Sequence, residues 1–265
     1  MNTAIAQRPG TQAAPSRVAT LAPTGQFTLA VLRAGVRNRV ALATALFTPL
    51  FMLAIFWLTT QGGKPGGFNM LSFIFPGIVS FTVMMAGSTQ VTRLGSWRQQ
   101  GVFGRLACTP VPLGQLVLAA ALAQVLLSLV QALIVVVFGI LVVGIPVQPL
   151  GIPLAAGVLT LGATCFIAYG SLVASLAKRI ETASLLFIFT LLPLSMLGNT
   201  FLPVDQLPPI VGAISPWLPT TMMADLIRAL LTTGTLPAAP LVPLAGLLLY
   251  TILFSALSMR LFRWE

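Results

Sequence analysis

Histidine is absent from this chain, and only four of its 265 residues are acidic. The first absence removes the commonest general base and metal ligand together. The second leaves few carboxylates for a paired acid–base site, and no Ser–Lys or His–Asp set stands at membrane depth to replace one. Two cysteines, Cys108 and Cys165, stand far apart and fit no metal or redox spacing, so they read as unpaired thiols. Charge is scarce, at 7% of residues against roughly 25% in an ordinary globular protein. No G-x-x-x-x-G-K-[ST] phosphate loop occurs; the one Gly-Lys pair, Gly63-Lys64, runs into Pro65. Neither G-x-S-x-G nor H-E-x-x-H is present. That set of absences makes an enzyme a poor reading of this chain.

What is present is apolar. Hydrophobic residues make up 57% of the chain before its 23 glycines are counted, and the mean hydropathy is +0.99. Fourteen basic and four acidic side chains cannot cover a soluble fold of this size, so lipid is the solvent for much of the surface. The net charge of +10 does not indicate a nucleic-acid partner, because the cations sit at segment ends and form no stripe.

Residues 1–25, rich in Ala, Thr, Pro and Gly, read as a flexible cytoplasmic tail ahead of one membrane domain over 26–265. The first apolar block is too long for a signal peptide and no small-residue cleavage site follows it. The Arg-bearing, acid-free tail also suits an organellar transit peptide. Residues 26–39 mix Phe27, Leu29, Val31 and Leu32 with Arg33, Arg37 and Arg39. Two readings fit: an interfacial helix on the cytoplasmic surface, or the charged flank of the first span.

Six spans follow, near 40–60, 70–92, 114–143, 150–176, 183–201 and 240–260. Each is long enough for a hydrocarbon core of about 30 Å at about 1.5 Å per residue. With the N-terminus inside, twelve of the fourteen cations fall on one face and only Lys64 and Arg228 on the other. That asymmetry places both termini in the cytoplasm. No span carries a charge near its middle, where ion-coupled carriers usually keep one. Gly170 and Ala174, four apart, permit close packing with a helix of this chain or of another.

Two stretches are neither spans nor plain loops. Residues 93–112, RLGSWRQQGVFGRLACTPVP, predict a short amphipathic helix near 96–107 ended by Thr109-Pro110. Such a helix either docks into a partner's groove or rests on the headgroups. Residues 198–239 begin GNTFLPVDQLPPIVGAISPWLPTT. Their prolines forbid one continuous helix, while Phe201, Leu202, Leu207 and Trp217 suit no solvated loop. Short broken helices dipping into the outer leaflet, as a lid, or an interfacial loop anchored by Trp217 both satisfy the pattern. Asp225 and Arg228 have the spacing of an ordinary intrahelical pair.

These two stretches, in this order on six helices, resemble the membrane subunits of type-2 ABC exporters, the group that includes drug-resistance permeases. The family's R-x-x-G-T-L-E-R-L-x-x-T-P segment corresponds to Arg98, Gly101, Val102, Phe103, Gly104, Arg105, Leu106, Thr109 and Pro110. Its external G-x-x-F-L-P-x-x-x-L-P segment corresponds to Gly198, Phe201, Leu202, Pro203, Leu207 and Pro208, followed by Pro216 and Trp217. Gly104 stands where the family often has Glu, and Val102 replaces Thr, which leaves docking to Phe103, Arg105 and Leu106.

The resemblance implies an all-α integral membrane fold: six transmembrane helices, an N-terminal interfacial helix, a cytoplasmic coupling helix and re-entrant external helices between spans five and six. It implies a multi-pass plasma-membrane half-transporter that pairs with a second membrane subunit, as a homodimer or heterodimer. Two separate cytoplasmic ATPase subunits would bind ATP and Mg, while this chain holds no cofactor, metal or catalytic residue. The segment 98–110 would receive the ATPase motion, and the external segment would form the exit gate for a hydrophobic or amphipathic drug, lipid or glycolipid. An ion-coupled secondary carrier or channel is the alternative.

Overall fold

In a computed structural model, residues 22–60, 70–102, 113–177 and 179–261 are described. They are helical with no strand among them. The helices are α1 (Ala22–Arg37), α2 (Arg39–Thr60), α3 (Met70–Met84), α4 (Ala86–Gln99), α5 (Leu113–Phe138), α6 (Ile152–Leu176), α7 (Ile180–Leu197), α8 (Pro209–Ile214), α9 (Pro219–Thr232) and α10 (Leu241–Leu261).

Six helical stretches among the described residues are long and apolar enough to cross a bilayer: Leu42–Thr60, Met70–Gln99, Gly114–Val143, Pro149–Leu176, Ile180–Leu197 and Leu241–Leu261. The expected six-span fold therefore stands. The second span is longer than the expected 70–92, because α3 and α4 together run to Gln99 with a break only at Met85. The fifth stops earlier than the expected 201: α7 ends at Leu197, and Asn199 takes a left-handed φ of 53°. The first helix begins at Ala22, so the last residues of the expected tail are helical; residues 1–21 lie outside those described.

The second span is the axis of the bundle. Along α3 every residue from Ile74 to Met84 is buried, packed by α2, α5, α6 and α9. Pro76 is accommodated within it, and Ser80 Oγ donates to the Pro76 carbonyl at 2.9 Å. Three close approaches fix the packing. The Phe75 ring fills the space a side chain at Gly139 would occupy, where α5 widens into a π-helical turn over Gly139–Val143. Gly87 of α4 meets Gly170 of α6, and a Cβ on Gly170 would run into the Gly87 backbone. The small residue at 170 thus serves a helix of its own chain, a question the spacing alone left open. Gly77 of α3 leaves no room between α3 and the Thr200 backbone.

The segment between the fifth and sixth spans, expected to be external, is broken helix, as the prolines require. Short turns at Val204–Gln206 and Ser215–Trp217 flank α8, and the limb Pro209–Trp217 meets Pro219–Thr232 at 81°. At about 1.5 Å per residue neither limb reaches the roughly 30 Å of a hydrocarbon core. The long limb, α9, buries Met222, Met223, Leu226, Ile227 and Leu230. Met223 fills the notch at Gly162 of α6, and Met222 the one at Gly246 of α10.

Candidate functional site

Polar residues at helical spacing on the second span open a cleft in an otherwise apolar bundle. Thr82, Met85, Thr89 and Thr92 follow the three-and-four rhythm of one helix face. Two adjoining cavities lie along that face, of about 570 Å³ and 370 Å³. They share Ala45, Thr89, Thr92 and Gln131 and so form one continuous recess. The larger has Thr44, Thr48 and Pro49 of α2 on one side and Ile188 of α7 on the other, with Phe81, Thr82, Met85 and Ser88 between. The smaller lies under α1 and is lined by Val31, Gly35, Asn38, Arg93, Ser96, Trp97, Gln124 and Leu127 among others. Backbone carbonyls hold several hydroxyls in place. Thr82 donates to Ile78 at 2.8 Å, and Thr92 to Ser88 at 3.1 Å.

Arg93 is the charged group of this recess. Its guanidinium donates to the Ala120 carbonyl at 3.0 Å and to Gln124 Oε1 at 2.8 Å, both on α5. Among the described residues the one ion pair is Asp225–Arg228, so no carboxylate balances Arg93. The sequence had placed Arg93 just beyond the second span, at the start of the 93–112 stretch; the structure puts it inside α4, because that helix continues past residue 92.

The predicted docking residues divide. The expected helix near 96–107 does not begin at 96: α4 runs to Gln99, and Gly101 turns the chain with φ 62°. A residue with a side chain resists that conformation, which is why the turn falls at Gly101. Arg98 faces its own chain, donating to the carbonyls of Ala174 at 3.2 Å and Ala177 at 3.0 Å at the end of α6. Phe103, Arg105, Leu106, Thr109 and Pro110 lie outside the described residues. On α1, Gly35 abuts Leu127 of α5 and Phe27 meets the Trp97 ring edge-on at 6.2 Å. The helix thus packs on α5 and α4 while Arg33 and Arg37 stay exposed.

The predicted gate residues also divide. Gly198, Phe201 and Pro203 are buried, Leu202 and Leu207 half-buried, and Pro208, Pro216 and Trp217 exposed. Phe201 meets Phe81 of the cleft in an edge contact at 5.1 Å. Gly198 lies against Thr220, whose hydroxyl donates to the Leu194 carbonyl at 2.9 Å. Tyr250 of α10 donates to the Trp217 carbonyl at 3.0 Å.

Behind this segment stands a network the sequence had presented as an ordinary helical pair. Arg228 donates to Asp225 Oδ1 at 2.7 Å and to the Asn199 carbonyl at 2.6 Å, and its guanidinium carbon lies 3.8 Å from the Phe73 ring centroid. Asn199 Nδ2 donates to the same Asp225 oxygen at 2.7 Å, and Asn199 Oδ1 accepts from the Val204 amide at 3.2 Å. One ion pair thus ties α9 to α3 and to the turn after α7.

The family model for the ABC-2 type transporter matches residues 27–232. The chain belongs to the ABC-2 type transporter family. No curated protein matches this chain. As an ABC-2 subunit it is a multi-pass transmembrane component of an ABC transporter, a family whose membrane subunits associate with ABC ATPases and membrane partners. The matched stretch contains the whole recess, the described part of the predicted docking segment and the full external network. The cleft floor was the part sequence reading missed. Its signal was Thr82, Thr89 and Thr92 on one face of a span otherwise rich in Phe, Ile and Val.

Proposed function

We propose that this ABC-2 subunit forms half of the path of an ATP-driven exporter for a hydrophobic or amphipathic substrate. The observation that carries the reading is the cleft between α2 and α7. It has a threonine-lined floor and is open at the side of a single subunit. Walls of this kind solvate a guest that is part polar and part apolar. A second membrane subunit, identical or different, would close the open side, with the exposed Phe47, Phe51, Ile55 and Leu58 of α2 beside it. Phe81 and Phe201 meet at the external end of the cleft and would part for exit.

Energy enters from separate cytoplasmic ATPase subunits that bind ATP and Mg. The sequence carries no phosphate loop to bind nucleotide itself. The strut Arg98 joins the ends of α4 and α6, so a push delivered just beyond it, on Gly101, Val102, Phe103, Arg105, Leu106, Thr109 or Pro110, would reach the second and fourth spans together. In this reading residues 26–265 form the membrane domain, α1 lies at the cytoplasmic surface, and both termini are cytoplasmic in the plasma membrane.

Co-purification tests the proposal. With the neighbouring ATPase candidates co-expressed, the complex is expected to hold two ATPase chains per two membrane chains, and Phe103→Asp or Leu106→Asp to abolish it. A well-folded chain that never retains an ATPase, yet moves substrate in vesicles under an ion gradient, would make it a secondary carrier.

A further inference from the structure

The cavity under α1 holds a cation with no counter-charge among the described residues. Arg93 is half-buried, and its two hydrogen bonds go to neutral acceptors, the Ala120 carbonyl and Gln124. A guanidinium has five N–H donors, so two bonds leave donors for a guest. Taking a cation out of water without an anion beside it is costly, and the cost falls when an anion arrives. The surroundings are those of a ligand site. A volume of about 370 Å³ is open beside Arg93, with Gln131 and Ser96 as polar neighbours and Val31, Leu42 and Leu127 as apolar ones.

The position of the cavity says what the guest is. Arg93 lies one and a half turns from the end of α4, where Arg98 meets the end of α6, and exposed Arg33 and Arg37 lie on the overlying helix. This is the basic end of the bundle, at the level where acyl chains give way to headgroups. We propose that the Arg93 cavity binds an amphiphile with a net-anionic phosphate headgroup from the cytoplasmic leaflet. The phosphate would sit on the Arg93 guanidinium and the apolar tail would lie along α1 and α5. The inference deepens the exporter reading and rests on its cytoplasmic placement of this end. The shared chemistry covers both a resident anionic phospholipid and a transported phospho-amphiphile.

The test uses the purified full-length chain without any ATPase, so that failure here is distinct from failure to capture a partner. Native mass spectrometry from detergent counts retained lipid after exposure to equal dioleoyl phosphatidylglycerol and dioleoyl phosphatidylcholine. The expected result is one preferentially retained phosphatidylglycerol per chain, not displaced by inorganic phosphate. Arg93→Gln should lower that preference by about tenfold, the loss of one charge-assisted contact, while Arg93→Lys retains part of it. Arg37→Gln, on the exposed face of α1, should leave the single retained lipid in place. Ala45→Phe fills the recess without touching the Arg93 bonds, and decides the matter if Arg93→Gln does not fold.

Phosphatidylglycerol that survives purification marks a resident lipid; phosphatidylglycerol that binds only when added and exchanges within minutes marks a transported amphiphile. Either supports the site. No preference in the wild-type chain, displacement by inorganic phosphate alone, or full preference in folded Arg93→Gln or Ala45→Phe would overturn it.

Discussion

The two ends of this bundle treat their polar groups in opposite ways. At the end where α9 meets the turn after α7, Asn199, Asp225 and Arg228 join through three bonds of 2.6–2.7 Å and Asn199 accepts a fourth, at 3.2 Å, from the Val204 amide, with the Phe73 ring beneath the guanidinium. In the half of the bundle beneath α1, Arg93 is held by two neutral acceptors beside an open recess, with Gln131 bordering both cavities. Closed networks rigidify because each partner's loss strands another group. Open ones leave capacity for a guest. The contrast separates a braced end from a receptive one.

The comparison is broken most severely by filling the close contact at the braced end. Gly77→Val pushes a side chain into the Thr200 backbone and should cost about 3 kcal/mol. It would read as a large fall in thermal midpoint in nanodiscs, or as loss of folded protein. If Gly77→Val is tolerated, that end is not braced.

Next in size is Arg228→Met, which keeps bulk but strands Asp225 and the Asn199 carbonyl. A loss of about 2 kcal/mol is expected, with Arg228→Lys recovering only part because it cannot fork between two acceptors. The paired change Asp225→Asn with Arg228→Met should cost less than the sum of the single changes, which a double-mutant cycle measures.

A smaller effect of opposite sign is expected at Gly114 of α5, where an added Cβ meets nothing. Gly114→Ala should stabilise by about 0.5 kcal/mol through helix propensity and the unfolded chain. Smallest in stability is Gln131→Leu, on the wall between the cavities, expected within about 0.5 kcal/mol. Transport should nevertheless fall several-fold. Equal losses of stability and transport at Gln131 would show that the recess is core and not path.

Much of this architecture was legible because a bilayer demands so little ambiguity. Runs of apolar residues at the length of a hydrocarbon core, with arginines on alternate connections, leave few ways to thread the chain, and the helices found differ from expectation mainly at their ends. The broken external segment was equally legible, since prolines at 203, 208, 209, 216 and 219 exclude a continuous helix among residues too apolar for water. The cleft was harder. Three threonines on one helix face are as compatible with self-bonded hydroxyls in a packed core as with a polar path. Only the position of α2 and α7 on either side of α4 distinguishes the two.

Arg93 shows the same limit in another form. A cation beyond the last apolar run reads as the end of a span, and nothing local in RLGSWRQ says that the second span runs to Gln99. It persists because Arg93 and Arg98 find acceptors on α5 and α6, more than twenty residues away.

By itself, then, the sequence determined what lipid and water require of a chain: six spans and a proline-broken segment between the fifth and the sixth. These follow from transfer energies and backbone valence, which depend on composition and local order alone. Tertiary structure decided which helices touch. Gly170 receives Gly87 of its own chain, Asp225 and Arg228 brace a turn rather than merely a helix, and Arg93 overlooks a cavity rather than the cytoplasm. Such contacts depend on close packing between segments far apart in the chain, and no local pattern encodes which segments meet.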